Sequence, residues 1–299
     1  VRRAAVALAV VAAVACSGGS GDDGSGARKE EERVPRERAS TTTAAPGPEA
    51  AAVPSNAAAA ATTLTRVERA LRAPDTPPAD LARLGWEQQN AYRALAAHDD
   101  WRSDVLAEVP ADVAPIVTAN ERAVRQLARL NEPQPSLPAW NIAPPPAPEV
   151  LRSYYAEAEA TSGIPWAYFA SIHLVETRLD RIRGTSTAGA QGPMQFIPAT
   201  WERYGQGDIN DNRDAILAAA RFLQANGAPG DTSRALFRYN NSLRYVDAVQ
   251  AYAELMLADE RAFLGYYQWQ VYYATAAGTY VLPEGYPAQP ARRAGPGPP

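Results

Sequence analysis

The stretch SYYAEAEATSGIPWAYFASIHLVETRLD, residues 153–180, decides the fold class. Residues 149–162 carry apolar and polar side chains in a helical alternation, and Gly163 stands where a helix commonly ends in a left-handed cap. Pro165 suits the first turn of a second helix, where its missing N–H costs nothing. On that second helix each residue turns by about 100°, so positions three, four and seven apart share a face. Phe169, Ile172, His173, Glu176 and Asp180 then point broadly together, with Leu179 alongside, while Arg178 looks the other way. One carboxylate, Glu176, therefore falls on an apolar face. Periodicity leaves two readings open: a structural glutamate, or a carboxyl group kept partly dry. Burial without a cationic partner raises a carboxyl pKa and holds a protonated fraction near neutral pH, which a general acid requires.

The chain of 299 residues is long enough for one large domain or two smaller ones, and 46% hydrophobic residues suffice for a core. A net charge of −4 gives no basic footprint, so no nucleic-acid partner is expected. Arg2 and Arg3 precede an apolar run, Ala4 to Ala15, that ends at Cys16. This order describes a secretory signal peptide over 1–15, too short for a stable span of about 20 residues. Cys16 is the single cysteine, so no intramolecular disulfide can form. Its setting after Ala13-Val14-Ala15 resembles the lipobox of bacterial lipoproteins, although Ala13 stands where leucine is usual. Lipidation of Cys16 and anchoring to a membrane are expected, with a Gly/Ser/Asp-rich disordered tether over 16–61.

Residues 62–131 read as a helical segment, with Leu64, Val67 and Leu71, and later Val117, Val124 and Leu127, at helical spacing. Docking on the rest of the chain and binding a partner are both open for it. A Pro-rich linker follows over 132–148, where proline is too dense for a core element. A catalytic domain is expected over 149–262. Alternation at Tyr266, Gln268, Gln270 and Tyr272, and again near Tyr280–Leu282, suggests a β-hairpin extension over 263–287 with Gly278 in or near its turn. A disordered tail closes the chain over 288–299.

Two metal-like patterns fail on inspection. Asp208, Asn210, Asn212 and Asp214 alternate as in a calcium loop, but Arg213 and Ala219 occupy positions that need glycine and glutamate. Asp211 as a helix N-cap explains the same residues. His98, His173 and Cys16 cannot assemble a zinc site. No metal and no cofactor are expected.

The loop GTSTAGAQGPMQFIPATWERYG, residues 184–205, combines glycines, amides and aromatics, a composition suited to the wall of a sugar groove. Three stretches in order, HLVETRLD, GAQGPMQFIPATW and RYNNSLRYVDAVQAYAELM, resemble the motifs of lytic murein transglycosylases. The match is to the lysozyme-like soluble lytic transglycosylase domain, over roughly residues 150–260, and the wording GPMQF-PATW is similar to the membrane-bound B-type branch. The resemblance implies a mainly α-helical, lysozyme-like catalytic domain with a small C-terminal β-hairpin. It implies that Glu176 is the catalytic acid/base, that Gln191, Met194, Gln195 and Phe196 form the substrate-binding wall, and that Tyr239, Asn240 and Tyr245 reach substrate and glutamate. Many relatives have serine after the glutamate, where this chain has Thr177.

It further implies cleavage of the bond between N-acetylmuramic acid and N-acetylglucosamine in peptidoglycan, with 1,6-anhydro ends, outside the cell membrane. Cell-wall or division proteins are conceivable partners. A hydrolytic muramidase on the same bond and an inactive peptidoglycan-binding lipoprotein are the alternatives. Ordinary glycosidases pair two carboxyl groups, whereas this reaction needs one.

Overall fold

The computed structural model describes residues 52–295. Expectations placed on the signal run 1–15, on Cys16 and on most of the tether lie outside the described residues, as do the last four positions of the tail. The architecture is mainly helical, with a small antiparallel sheet at the C-terminal end.

Helix α1, Ala57–Arg72, begins within the stretch read as tether. Asn56 caps it, its side chain accepting from the Ala59 N–H at 2.8 Å, and Leu64, Val67 and Leu71 are fully buried on one stripe. Residues 57–61 are therefore part of the fold, because Ala60 and Ala61 are small enough to pack tightly into the core. Pro74, Pro77 and Pro78 break the chain before α2, Pro78–Ala97. After a short 3-10 turn come α3, Arg102–Glu108, and α4, Ala114–Ala128.

The Pro-rich stretch behaves as a bound strap. Strand β1, Asn141–Ile142, pairs antiparallel with β2, Ile182–Arg183. Gln134 exchanges hydrogen bonds with the backbone at Ala274 and Ala276, and Trp140 meets the Tyr273 ring edge-on at 5.2 Å. Prolines donate nothing, but the residues between them retain their N–H groups, and Trp140 and Ile142 supply apolar anchors.

The predicted helix pair is present as α5, Pro148–Ser162, and α6, Trp166–Thr177, with Gly163 left-handed at φ 69 between them. Next come α7, Pro198–Tyr204, α8, Asn212–Ala225, α9, Thr232–Tyr239, and α10, Leu243–Ala258. Asp211 caps α8 by accepting from the Asp214 N–H at 3.0 Å, so these residues start a helix. Residues 263–267, read as the start of a hairpin, instead belong to helix α11, Ala262–Tyr267. The alternating aromatics there sit on both sides of a short helix whose buried face carries Phe263 and Tyr266. The hairpin itself is β3, Val271–Thr275, with β4, Gly278–Leu282, in register from Val271–Leu282 to Thr275–Gly278. Strand β5, Arg292–Arg293, adds to β4 from within the stretch read as a disordered tail.

The helical segment 57–128 and the helices from α5 onward share one core: α4 packs along α10, and α2 against α11. A buried polar network runs through the junction. Glu68 of α1, fully buried, accepts from Gln88 Nε2 (3.0 Å), from Asn120 Nδ2 (3.3 Å) and from the Tyr92 hydroxyl, and pairs with Arg72. Tyr266 of α11 donates to Asn120 Oδ1 at 2.6 Å, and Trp269 Nε1 to Gln88 Oε1 at 2.9 Å. The side chain of Gln89 holds both backbone groups of Gln270. The helical segment is thus docked on the rest of the chain. Among the described residues no helix is long and apolar enough to cross a membrane.

Removing Glu68 strands several buried donors at once. Glu68→Ala is expected to cost about 3–5 kcal/mol in urea unfolding, whereas a change at the exposed Arg69–Asp112 pair should leave the unfolding midpoint nearly unmoved.

Candidate active site

Glu176 sits in the last turn of α6, with its neighbours Ile172, His173, Leu174 and Thr177 buried. Its own side chain is partly covered. The hydroxyl of the fully buried Tyr245, in the first turn of α10, donates to Glu176 Oε1 at 2.8 Å. Among the described residues Oε2 has no partner in the protein, which leaves one oxygen held and the other free. Burial raises the Glu176 carboxyl from its ordinary 4.5 to about 8, and the Tyr245 hydrogen bond works weakly in the opposite direction. His173, one turn earlier, does not touch the carboxyl. Its Nδ1 shares a 2.8 Å hydrogen bond with the Tyr155 hydroxyl, and burial pushes it down to about 3, so the imidazole is neutral.

Helix α6 ends at Thr177, and the next three residues are left-handed: Arg178 (φ 54), Leu179 (φ 62) and Asp180 (φ 69). The helical spacing that put Asp180 on the Glu176 face therefore does not apply. None of the three is glycine, so the turn carries about 1–2 kcal/mol of strain per residue and must be held by its surroundings. Thr177 Oγ1 donates to the Pro193 carbonyl at 2.7 Å and accepts from the Asp180 N–H at 3.1 Å. Leu179 is buried in the core. Asp180 accepts from Asn212 Nδ2 (3.0 Å) and Arg183 (3.2 Å), and burial nonetheless raises its carboxyl pKa. Arg181 pairs with Glu284 and donates to the Tyr267 carbonyl at 3.0 Å.

The amide-rich loop folds into a tight hairpin. Gln191 and Phe196 exchange two backbone hydrogen bonds of 2.9 Å, with Gly192 left-handed at φ 74. A Cβ at Gly192 would run into the Ile209 carbonyl oxygen, so only glycine lets the two loops touch. Gln195, left-handed at φ 51, turns its amide nitrogen back onto the Gly192 carbonyl at 2.9 Å.

The residues expected as a substrate wall divide in two. Gln191 lines a groove of about 620 Å³ together with Ile182, Arg183, Gly184, Thr185, Gly192, Pro193 and the 210–212 turn. Glu176 is not in that lining; the two are joined through Pro193, whose carbonyl receives the Thr177 hydroxyl. Met194 has no exposed surface, and Phe196 packs against Trp201, Phe222 and Tyr239 in the core. Their buried positions support the loop from behind. Tyr239 donates to the Met194 carbonyl at 2.6 Å, and its ring stacks parallel to Tyr245 at 6.4 Å, so it reaches the glutamate only through that neighbour. Asn240, 5% exposed, ends α9. The groove residues Arg183 and Asn210–Asn212 were not legible as such, since polar loop residues carry no signal of facing a cavity.

The raised pKa has a thermodynamic consequence. Below about pH 4.5 the Glu176 carboxyl is protonated in folded and unfolded chains alike. As pH rises from 4.5 towards 8 the unfolded chain ionises first, so folding loses stability. Glu176→Gln should therefore stabilise the protein by about 1–3 kcal/mol at pH 7, after allowance for partial exposure. The gain should vanish near pH 4 in parallel urea titrations; an equal difference at both pH values would mean a well-solvated carboxyl.

Residues 153–257 match the family model described as the transglycosylase SLT domain. The membrane-bound lytic murein transglycosylase F of Thiobacillus denitrificans is 27% identical over 144 residues, covering 46% of this chain and 30% of that protein. The protein of the same name from Nitrosospira multiformis is 30% identical over 114 residues, covering 36% and 24% respectively. The chain thus spans less than a third of either relative. Both carry the F designation; the B-type likeness is confined to the wording of the loop. No solved structure gave a significant match. The helix pair α5–α6, the amide-rich loop and α8 to α10 fall almost wholly within the residues that match the transglycosylase SLT domain model.

Proposed function

We propose that the chain is a peptidoglycan lytic transglycosylase, acting outside the cytoplasmic membrane and tethered through a lipid on Cys16. One observation carries the reading: a partly dry carboxyl group with one oxygen held by Tyr245 and the other unpartnered, in the last turn of the helix beside the groove. With a pKa near 8 the group is largely protonated at neutral pH, as a general acid must be.

The reaction runs in two proton transfers through this one group. Glu176 gives its proton to the oxygen linking N-acetylmuramic acid to N-acetylglucosamine as the bond to C1 breaks. The muramoyl N-acetyl oxygen supports C1 while the leaving sugar departs. The ionised Glu176 then removes the proton of the muramoyl 6-hydroxyl as O6 bonds to C1. The carboxyl ends protonated, no water is consumed, and the product carries a 1,6-anhydro end. Tyr245 orients the carboxyl throughout, and its hydrogen bond eases the ionised stage. The amides of Gln191 and of the 210–212 turn are placed to bind sugar hydroxyl and N-acetyl groups along the groove. Remodelling of the wall during growth or division is the setting that fits.

Glu176→Gln should solubilise isolated sacculi at least about a thousandfold more slowly than the wild type. Equal rates would remove Glu176 from the reaction. In wild-type protein the rate should fall as pH rises through about 8, because the acid form is lost. Tyr245→Phe should lower the rate about tenfold and move that limb to higher pH, since the lost hydrogen bond favours the ionised form.

A further inference from the structure

We propose that Arg178 is a positioning residue through which the helical segment 57–128 holds the catalytic end of α6, making that segment part of the catalytic apparatus without contact to substrate. The inference rests on the reading of Glu176 as the acid. Arg178 lies two residues beyond Glu176 in the left-handed turn. Its guanidinium donates to the Leu174 carbonyl at 2.9 Å, the same oxygen that receives the Arg178 N–H at 3.2 Å. That carbonyl belongs to the turn of helix carrying Glu176.

The rest of the side chain enters a crevice made largely by the helical segment. Gln89 and Arg93 come from α2, Val124 and Leu127 from α4, and Tyr252 and Trp269 from the catalytic side. The space left among them is about 10 Å³, room for one water at most. Arg178 thus faces residues of α2 and α4 on one side and of the C-terminal half on the other across a nearly filled space.

The chemistry of the crevice is unusual for a merely structural contact. No carboxylate is among these neighbours, and burial pushes the Arg178 guanidinium pKa down. Arg93, the other cation there, lies over the Tyr272 ring at 3.5 Å. An apolar side chain would fill this crevice without the desolvation penalty of a charge. It would also suffer the same left-handed strain. What only the guanidinium supplies is the bond back to Leu174, made by a side chain that faces α2 and α4 across the crevice. Tyr245 from α10 bonds Glu176 and Tyr239 from α9 stacks behind Tyr245, so Arg178 acts on the glutamate through the backbone.

Arg178→Met keeps the apolar stem and removes the guanidinium. Leu127→Ala opens the crevice from the helical segment and leaves the catalytic region untouched. Two readouts are taken on each: turnover of soluble uncrosslinked glycan strands, and carbon-13 NMR titration of the Glu176 carboxyl. Arg178→Met should lower kcat about 10- to 100-fold with KM within about twofold, as expected for a small misplacement of a reacting group. The Glu176 midpoint should fall by at least about one pH unit as water gains access. Leu127→Ala should move both in the same direction by less. Folded variants with wild-type kcat and an unmoved midpoint would overturn the proposal, as would a loss of stability that leaves the midpoint in place. Should Arg178→Met fail to fold, Leu127→Ala decides alone. The titration needs no turnover, so a wild type without activity would refute the functional reading and leave this test intact.

Discussion

The hydroxyl of Thr177 donates to the Pro193 carbonyl and accepts from the Asp180 N–H, and around that pair of bonds five consecutive residues reach five parts of the molecule. Thr177 meets the amide-rich loop, Arg178 the helical segment, Leu179 the core, Asp180 the start of α8 and Arg181 the C-terminal end. Three non-glycine residues in succession in the left-handed region are costly in isolation. They persist because Arg178 bonds back to Leu174, Leu179 is buried in the core and Asp180 accepts from Asn212. Loosening one would let the turn relax towards ordinary helix or extended chain, and Glu176 would move with it.

The same logic explains why the helical segment cannot be treated as an appendage. The buried Glu68 binds donors from α1, α2 and α4, and Asn120 passes the network on to Tyr266 of α11. Such a network is favourable only when complete, since each missing partner leaves a buried polar group unsatisfied. The segment also floors the crevice behind the catalytic turn. The SLT domain match covers residues 153–257, but the end of its helix α6 faces residues that precede that helix by about 40 positions or more.

Much of this was legible from residue order. Gly163 at the end of α5 and the apolar face of α6 follow from local backbone rules and periodicity, and both placed Glu176 in the interior. The end of α6 was not legible, because Arg178, Leu179 and Asp180 carry no left-handed signal; tertiary contacts impose that conformation. Tyr266 and Phe263 misled for a related reason, since short aromatic runs fit a strand or a buried helix equally well. Motif resemblance put Met194 and Phe196 on the substrate-binding wall, although an apolar side chain in such a loop can equally face the core. Their burial places them behind it, while Gln191 looks into the groove. The strap at 132–148 was hidden by its prolines, whose density masked the pairing capacity of Asn141 and Ile142.

The central chemical claim is that one carboxyl group serves first as acid and then as base, with the substrate's own hydroxyl closing the reaction. Digestion of isolated sacculi in water enriched in heavy oxygen, followed by mass spectrometry of the released glycan ends, tests it most directly. The account predicts 1,6-anhydromuramoyl ends that contain no heavy oxygen. Reducing ends carrying the heavy isotope at C1 would show that water is the acceptor, and would contradict it.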